Sequence, residues 1–477
     1  MPPKFGTSGL RGLVTDLTSA LVGDYTRAFI AACPIGSGLY VGMDLRPSSP
    51  RIAQDVISAA RQAGINVTDC GALPTPALAL ASMGANAAAI MITGSHIPAD
   101  RNGLKFYSPS GEISKSDEVA IGAAYQTGAA SGTVSSGTVS SGTLSQNSQA
   151  TTQYLDRYIQ AFGARALHGL RLGVYQHSSV ARDLLTTLVE ALGATAIPLA
   201  RSNDFIPVDT EAVDPATRER LGTWAAEHRL DAILSTDGDA DRPMLTDAAG
   251  QVIPGDILGV ITAQTLGAKV VCAPVSSNSM LQSLPDFEQL HLTKIGSPFV
   301  IAAMESALAA DPAGQVVGFE PNGGFLLGFQ ALGTLCPLMT RDAVLPMIAP
   351  LVQAHTIGLA ALIAQLPPRF TATDRLENIP TQESDAFLAN LAADPDALTA
   401  FFAPTGPVVA TNRTDGLRLS FAGEMQAIVH LRPSGNAPEF RVYAEANTRA
   451  AAQDLLKLYL ARVREAIEFQ SFTHLKL

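Results

Sequence analysis

The segment STDGDADR at residues 235–242 carries three carboxylates, Asp237, Asp239 and Asp241, at alternate positions directly after the apolar run LDAIL. Hard oxygen donors at that density suit Mg²⁺ or Ca²⁺, and the end of a strand is where α/β sheets present ligand sites. An EF-hand needs Gly at its sixth position and Glu at its twelfth; counted from Asp237 these are Arg242 and Ala248, so that motif is excluded. A solvated acidic turn is the plain alternative, opposed by Gly238 and Ala240, which keep the loop compact behind a buried strand. A second loop, ITGSHIPADRNGLKFY at 92–107, also follows an apolar run. Gly94 permits unusual backbone dihedrals, and Ser95 beside it is a candidate nucleophile. No G-x-S-x-G elbow surrounds it, so the tripeptide alone describes an exposed turn serine equally well. His96 and Lys105 could handle protons or negative charge, and Lys105 is one of only seven lysines.

Two arginines bound the third loop, RPSGNAPEFR at 432–441, which also holds Ser434, Gly435 and Asn436. This is the composition of an anion cradle, because Arg432 and Arg441 can grip phosphate bidentately while Gly435 exposes backbone amides. In GFEPNGGF at 318–325, Glu320 and Asn322 could exchange hydrogen bonds with sugar hydroxyls. FGTSGLRG at 5–12 is a Gly-rich loop whose Arg11 suits phosphate. Neither of these two is specific alone.

The elements that must position these loops alternate between strand-like and helix-like patterns. GLYVGM near Tyr40, a helical stretch over 51–63 and AAAIMIT ending at Thr93 form one cycle. RLGVY near Val174, a helical stripe from Val180 to Leu192 and LDAILST near Ile233 form a second. VVCAP near Val271, a helical stretch over 299–309 and QVVGFE ending at Glu320 form a third. Residues 342–366, broken by Pro346 and Pro350, suit a buried helical region rather than a membrane span. After LPPRF at 366–370 the pattern changes: AIVHLRP, EFRVYAEA and a final helix over 449–468 suggest a smaller α+β domain. The expected divisions are 1–150, 151–255, 256–368 and 369–477. The repeat SGTVS, SGTVS, SGTLS at 131–145 reads as a flexible linker or extended loop, with a β-edge hairpin as the alternative.

Composition narrows the partners. With 477 residues, 47% of them apolar and 16% charged, the chain has material for several cores. Its net charge of −11 opposes general nucleic-acid or anionic-membrane binding. An anionic substrate therefore needs a local cluster of cations. The four cysteines form no CxxC pair, so a disulfide scaffold and a zinc ribbon are poorly supported. The N-terminus has no apolar signal region, and cytoplasmic residence is the default expectation.

In their order along the chain, these loops closely resemble the α-D-phosphohexomutase superfamily. The resemblance implies three similar α/β domains and a fourth of α+β type around a central cleft. It implies interconversion of hexose 1- and 6-phosphates through a phosphoserine at Ser95 and an enzyme-bound bisphosphate. Asp237, Asp239 and Asp241 would bind Mg²⁺ together with the Ser95 phosphoryl oxygen, and Glu320 and Asn322 would recognise sugar hydroxyls. Arg432, Ser434, Gly435, Asn436 and Arg441 would hold the non-reacting phosphate. Arg11, His96 and Lys105 would surround the transfer centre, Lys105 as a general-base candidate. A hexose 1,6-bisphosphate is the implied activator. Departures at Ile97, Ala240, Asn322 and Asn436, and at Ser297 in the loop TKIGSPFV, bear on sugar preference more than on chemistry. Mannose phosphates lead, with glucose and glucosamine phosphates as alternatives. A catalytically silent phosphosugar-binding protein and an aspartyl-nucleophile phosphatase are the competing classes.

Overall fold

The computed structural model describes residues 3–6, 9–128, 141–434 and 438–474. By its contacts the chain divides into two units, one of 1–272, 286–289 and 296–363, the other of 273–285, 290–295 and 364–477.

In the first unit, Leu39–Met43 runs parallel to Val67–Ala72 on one side and to Ala88–Ile92 on the other. Ala88–Ile92 is buried at every position, the continuous apolar pattern of a parallel strand covered on both faces. Helix Ser49–Gln62 buries Ile52, Ala53, Val56, Ile57 and Ala60 in this sheet's core, a spacing that puts them on one helical face. Arg101–Ser108 then returns antiparallel beside Ala88–Ile92. The second sheet repeats the arrangement. Arg171–His177 lies parallel to Thr195–Arg201 and Ala232–Thr236, and Pro243–Leu245 returns antiparallel. So does the third: Val316–Phe319 is parallel to Val270–Pro274, and Phe325–Leu327 returns antiparallel, with Leu338–Asp342 beyond it.

Each sheet therefore has one buried parallel strand that turns through a short loop into an antiparallel return strand. The loops are 93–100, 237–242 and 320–324, and they carry Ser95, the aspartates and Glu320.

The second unit holds an all-antiparallel sheet in the order Phe370–Glu377, Glu439–Ala446, Ile428–Pro433, Leu417–Phe421, Val408–Asn412. Phe440, Val442 and Ala444 pack with Phe387, Leu391, Leu455 and Tyr459 of the helices on one face. Three α/β sheets followed by an antiparallel sheet domain is the expected fold class.

Some details differ from the sequence reading. Lys105 lies on the return strand Arg101–Ser108 rather than in the loop before it. Apolar residues on both sides of a short polar segment hid the strand. Of the repeat at 131–145, residues 131–140 lie outside the described residues. Its tail is neither linker nor hairpin, since Leu144–Gln146 adds to the sheet edge parallel to Val67–Ala72. Residues 342–366, by contrast, agree with the sequence reading: they hold the helices Leu345–Gln353, largely buried, and Leu359–Ile363. Among the described residues no helix is long and apolar enough to cross a membrane.

Candidate active site

Ser95 is buried and holds φ +54°, a left-handed conformation unusual for a residue with a side chain. Its amide donates to Thr93 Oγ1 at 2.8 Å, but the larger support comes from Arg46. That guanidinium donates to the carbonyls of Ser95 (3.0 Å), Ile97 (2.5 Å), Pro98 (2.7 Å) and Arg101 (2.9 Å), and pairs with Asp44 at 3.1 Å. Asp44 in turn accepts from the Gly94 amide at 3.3 Å. A Cβ on Gly94 would lie 2.6 Å from Arg46 Cζ, so glycine here is a clearance requirement.

The loop after Ala232–Thr236 brings the three carboxylates to Ser95. Ser95 Oγ donates to Asp237 Oδ2 at 2.6 Å and lies 3.2 Å from His96 Nδ1. Thr75 donates to Asp239 Oδ2 at 2.6 Å, and Lys105 Nζ bridges Asp239 Oδ2 (2.6 Å) and Asp241 Oδ2 (2.5 Å). All three aspartates are fully buried. Burial, and then the charges of Asp239 and Asp241, push the Asp237 carboxyl well above the usual range. Burial also opposes ionisation of Asp241, but Arg341, Lys105 and Arg242 outweigh it and hold this carboxyl below the usual range.

These residues fit a divalent cation. Each aspartate offers an oxygen within 4.8 Å of the others, and Asp239 Oδ1 and Asp241 Oδ1 are buried with no hydrogen-bond partner. Buried carboxylate oxygens without donors are costly unless a cation meets them, and an all-oxygen set favours a hard ion.

Further groups complete the cluster. Arg242 donates to His96 Nδ1 at 3.0 Å; since arginine can only donate, that nitrogen is the acceptor. Burial, then the neighbouring Arg242 and Arg341, lower Arg11 to about 10, while Asp239 and Asp241 pull the other way, so Arg11 remains a cation. Glu320 is buried and joined to the aspartate loop by Arg341. Asn322 Oδ1 accepts from the Gly324 amide at 3.0 Å, leaving its amide nitrogen as the group able to donate outward. Ser297 is turned inward, donating to Glu112 Oε2 at 2.7 Å. The first unit thus brings together Ser95, His96, Lys105, Arg11, Asp237, Asp239, Asp241 and Glu320. Sequence reasoning missed Arg46, Thr75, Glu112 and Arg341. The DLRPSS segment around Arg46 gave a signal, an acid–base pair ending an apolar strand; the other three gave none.

In the second unit, Arg432 and Arg441 stand directly opposite on neighbouring strands, and Arg375 stands opposite Arg441 on the far side. Cross-strand partners share a face, so three guanidiniums form a row. Asp415 lies 3.4 Å from Arg432, and Glu439 3.4 Å from Arg375 and 3.5 Å from Arg441. Ser434, two residues on from Arg432, donates its amide to the Glu439 carbonyl at 2.8 Å. Gly435 and Asn436 lie outside the described residues. Arg375 was not singled out in the sequence, because only strand register reveals its neighbours.

A chain of three α/β sheets that sets a serine hydroxyl against buried carboxylates among fixed cations is built for phosphoryl transfer. The phosphoglucomutase/phosphomannomutase family matches twice, through its alpha/beta/alpha domain I over residues 2–131 and its domain II over 152–250. A phosphomannomutase of Sinorhizobium fredii is 46% identical over 473 residues, covering 97% of this chain and 98% of the relative. One from Salmonella muenchen is 41% identical, covering 97% and 96%. Among solved structures, a phosphoglucomutase/phosphomannomutase family protein of Burkholderia thailandensis superposes with a TM-score of 0.75 at 20% identity, covering 96% of this chain and 97% of that one. The chain belongs to the phosphoglucomutase/phosphomannomutase family, within the α-D-phosphohexomutase superfamily.

Proposed function

We propose that this protein is a phosphohexomutase that interconverts mannose 1-phosphate and mannose 6-phosphate, with Ser95 as the residue that carries the transferred phosphoryl group. The observation that carries this reading is the 2.6 Å approach of Ser95 Oγ to Asp237 inside a ring of Lys105, Arg11 and Arg242. The sugar preference rests on the two phosphomannomutase relatives.

Mg²⁺ held by Asp237, Asp239 and Asp241 would supply fixed positive charge beside the Ser95 oxygen. The remaining work falls to the chain. Arg11 and Arg242 offset the negative charge that spreads over the phosphoryl oxygens in transfer. His96, held by Arg242, stands 3.2 Å from Ser95 Oγ, and Lys105 is the candidate to take the proton of the attacking sugar hydroxyl. Glu320 and Asn322 fix the sugar ring, while Arg432, Ser434 and Arg441, with Arg375 beside them, hold the phosphate that is not reacting. Because a bisphosphate intermediate must present each end in turn, hexose 1,6-bisphosphate is the expected activator of dephosphorylated enzyme. The fourfold division at 1–150, 151–255, 256–368 and 369–477 belongs to this proposal, as does a cytoplasmic location with no nucleic-acid partner.

Intact-mass analysis of active enzyme should find phosphate that peptide mapping places on Ser95, and Ser95→Ala should abolish turnover. Mannose 1-phosphate should be converted more efficiently than glucose or glucosamine 1-phosphate, and chelator should stop the reaction until Mg²⁺ is returned. Full turnover by Ser95→Ala would overturn the nucleophile. A reversed sugar order would reassign the substrate and leave the reaction class standing.

A further inference from the structure

We propose that Arg341 is the positioning residue that sets the sugar-recognising Glu320 against the metal-loop Asp241, and that Gly324 lacks a side chain in order to admit it. The roles of Glu320 and Asp241 rest on the function proposed above.

Arg341 lies on Leu338–Asp342 and is 2% exposed. Its Nε and Nη2 reach Asp241 Oδ2 at 3.1 and 2.9 Å, Nη1 lies 3.5 Å from Glu320 Oε2, and Nη2 lies 3.9 Å from Glu112 Oε1. One guanidinium therefore gathers a carboxylate from each of the three sheets. Glu320 Oε2 is buried with no hydrogen-bond partner, so the charge of Arg341 is what offsets its burial. At Asp241, Arg341 and Lys105 share Oδ2 and leave Oδ1 without a donor. This selects the oxygen that can face a cation.

The strand beneath is fixed. Asp342 accepts from Tyr154 at 2.6 Å, from Tyr158, and from the Val344 amide at 2.8 Å. A Cβ on Gly324 would lie 2.7 Å from both Cγ and Cδ of Arg341 and 3.1 Å from its Cβ. Those atoms belong to the base of the side chain, which cannot swing aside. Gly324 is not in the left-handed region, so its backbone does not demand glycine and clearance is the remaining reason.

The test uses R341A, G324A and the double variant. R341A should lower kcat/KM at least ~100-fold while folding normally, since it loses a buried ion pair made by two N–H donors on one carboxylate oxygen. Calorimetry with Mn²⁺ should show metal binding at least ~threefold tighter in R341A, because a cation beside the site has gone. Tighter metal with poorer turnover is a signature that a merely structural tie would not produce. G324A should reproduce much of the activity loss in the wild-type background and add less than ~twofold in R341A. Guanidinium chloride at low millimolar concentration should restore part of the turnover of R341A and none to the double variant. Additive losses for G324A and R341A, or Mn²⁺ affinity unchanged or weakened in R341A, would overturn the proposal. Should R341A fail to fold, R341M, which keeps most of the side-chain volume but not the charge, is measured by the same two readouts and must show the same tightening. If the wild type converts no hexose phosphate, the functional reading fails, and the Mn²⁺ measurements still decide the role of Arg341.

Discussion

Arginine offers five N–H donors in a rigid fork, and Arg46 directs that fork at four carbonyls of the serine loop and one carboxylate. Lysine has three donors on a flexible stem. Arg46→Lys should therefore strand buried carbonyls at about 1–3 kcal/mol each and lower the stability of the first unit in denaturant titration. Gly94→Ala strikes the same fork from the other side. With Arg46 unable to retreat from so many bonds, overpacking should cost about 1–3 kcal/mol and reduce the fraction of Ser95 that becomes phosphorylated. A Gly94→Ala protein of wild-type stability would mean that the loop has another resting place. The positive φ of Ser95 belongs to the same logic: the strain persists because the bonds around it hold the loop in place.

At the scale of elements, the face of the antiparallel sheet opposite Phe440 and Val442 carries Arg375, Arg441 and Arg432 in adjacent register. Like charges directly opposite oppose folding by a few tenths to about 1 kcal/mol; Asp415 and Glu439 offset part of this, and a bound anion offsets more. Inorganic phosphate should therefore raise the thermal midpoint of the wild type. Arg441→Ala removes the middle of the row, so it should lose most of that phosphate effect and change stability without phosphate by less than about 1 kcal/mol. A phosphate shift that survives intact in Arg441→Ala would show that the ion binds elsewhere. In the first unit, the return-strand loops put functional groups at the same topological place in three sheets. An extended strand ends there, and an antiparallel partner holds the turn from the other side.

At the scale of the whole molecule, two histidines make stability depend on pH. His430 and His177 are buried, each with Nδ1 lacking a partner and Nε2 against a backbone carbonyl, of Asp415 at 2.6 Å and Thr236 at 2.9 Å. Burial lowers both to about 4; around His430 the charges of Arg418 and Arg432 act in the same sense, and the Asp415 carbonyl acts against it. A lowered folded pKa means stability present above the unfolded value of about 6.5 and lost as pH falls through 4. Each histidine should contribute a decline of about 1.4 kcal/mol per pH unit across that window. Calorimetric scans from pH 7 to 4 should show it, and His430→Gln, neutral throughout, should flatten the second unit's share. An equal slope in that variant would assign the acid sensitivity to the carboxylates instead.

The aspartate triad, Ser95 and the arginine pair were legible from sequence because each is local: a few residues follow an apolar strand, and the chemistry is written in their types. The rhythm of three α/β cycles and one change of character was legible too, since hydrophobic periodicity reports which face each element must bury. Arg341 could not be read this way. Its partners Asp241, Glu320 and Glu112 lie far off in the chain, and an arginine in TRDAVLP looks like any charged residue ahead of a helix. Arg375 was hidden for a similar reason, because strand register alone makes it a neighbour of Arg441. Lys105 reads as a loop residue in the sequence, whereas strand pairing puts it on the return strand, bridging two carboxylates. Sequence by itself determined which groups are available and roughly where each sheet ends. Tertiary structure decided which of them meet, since long-range burial brings charges together and the low dielectric inside makes each buried charge require a partner.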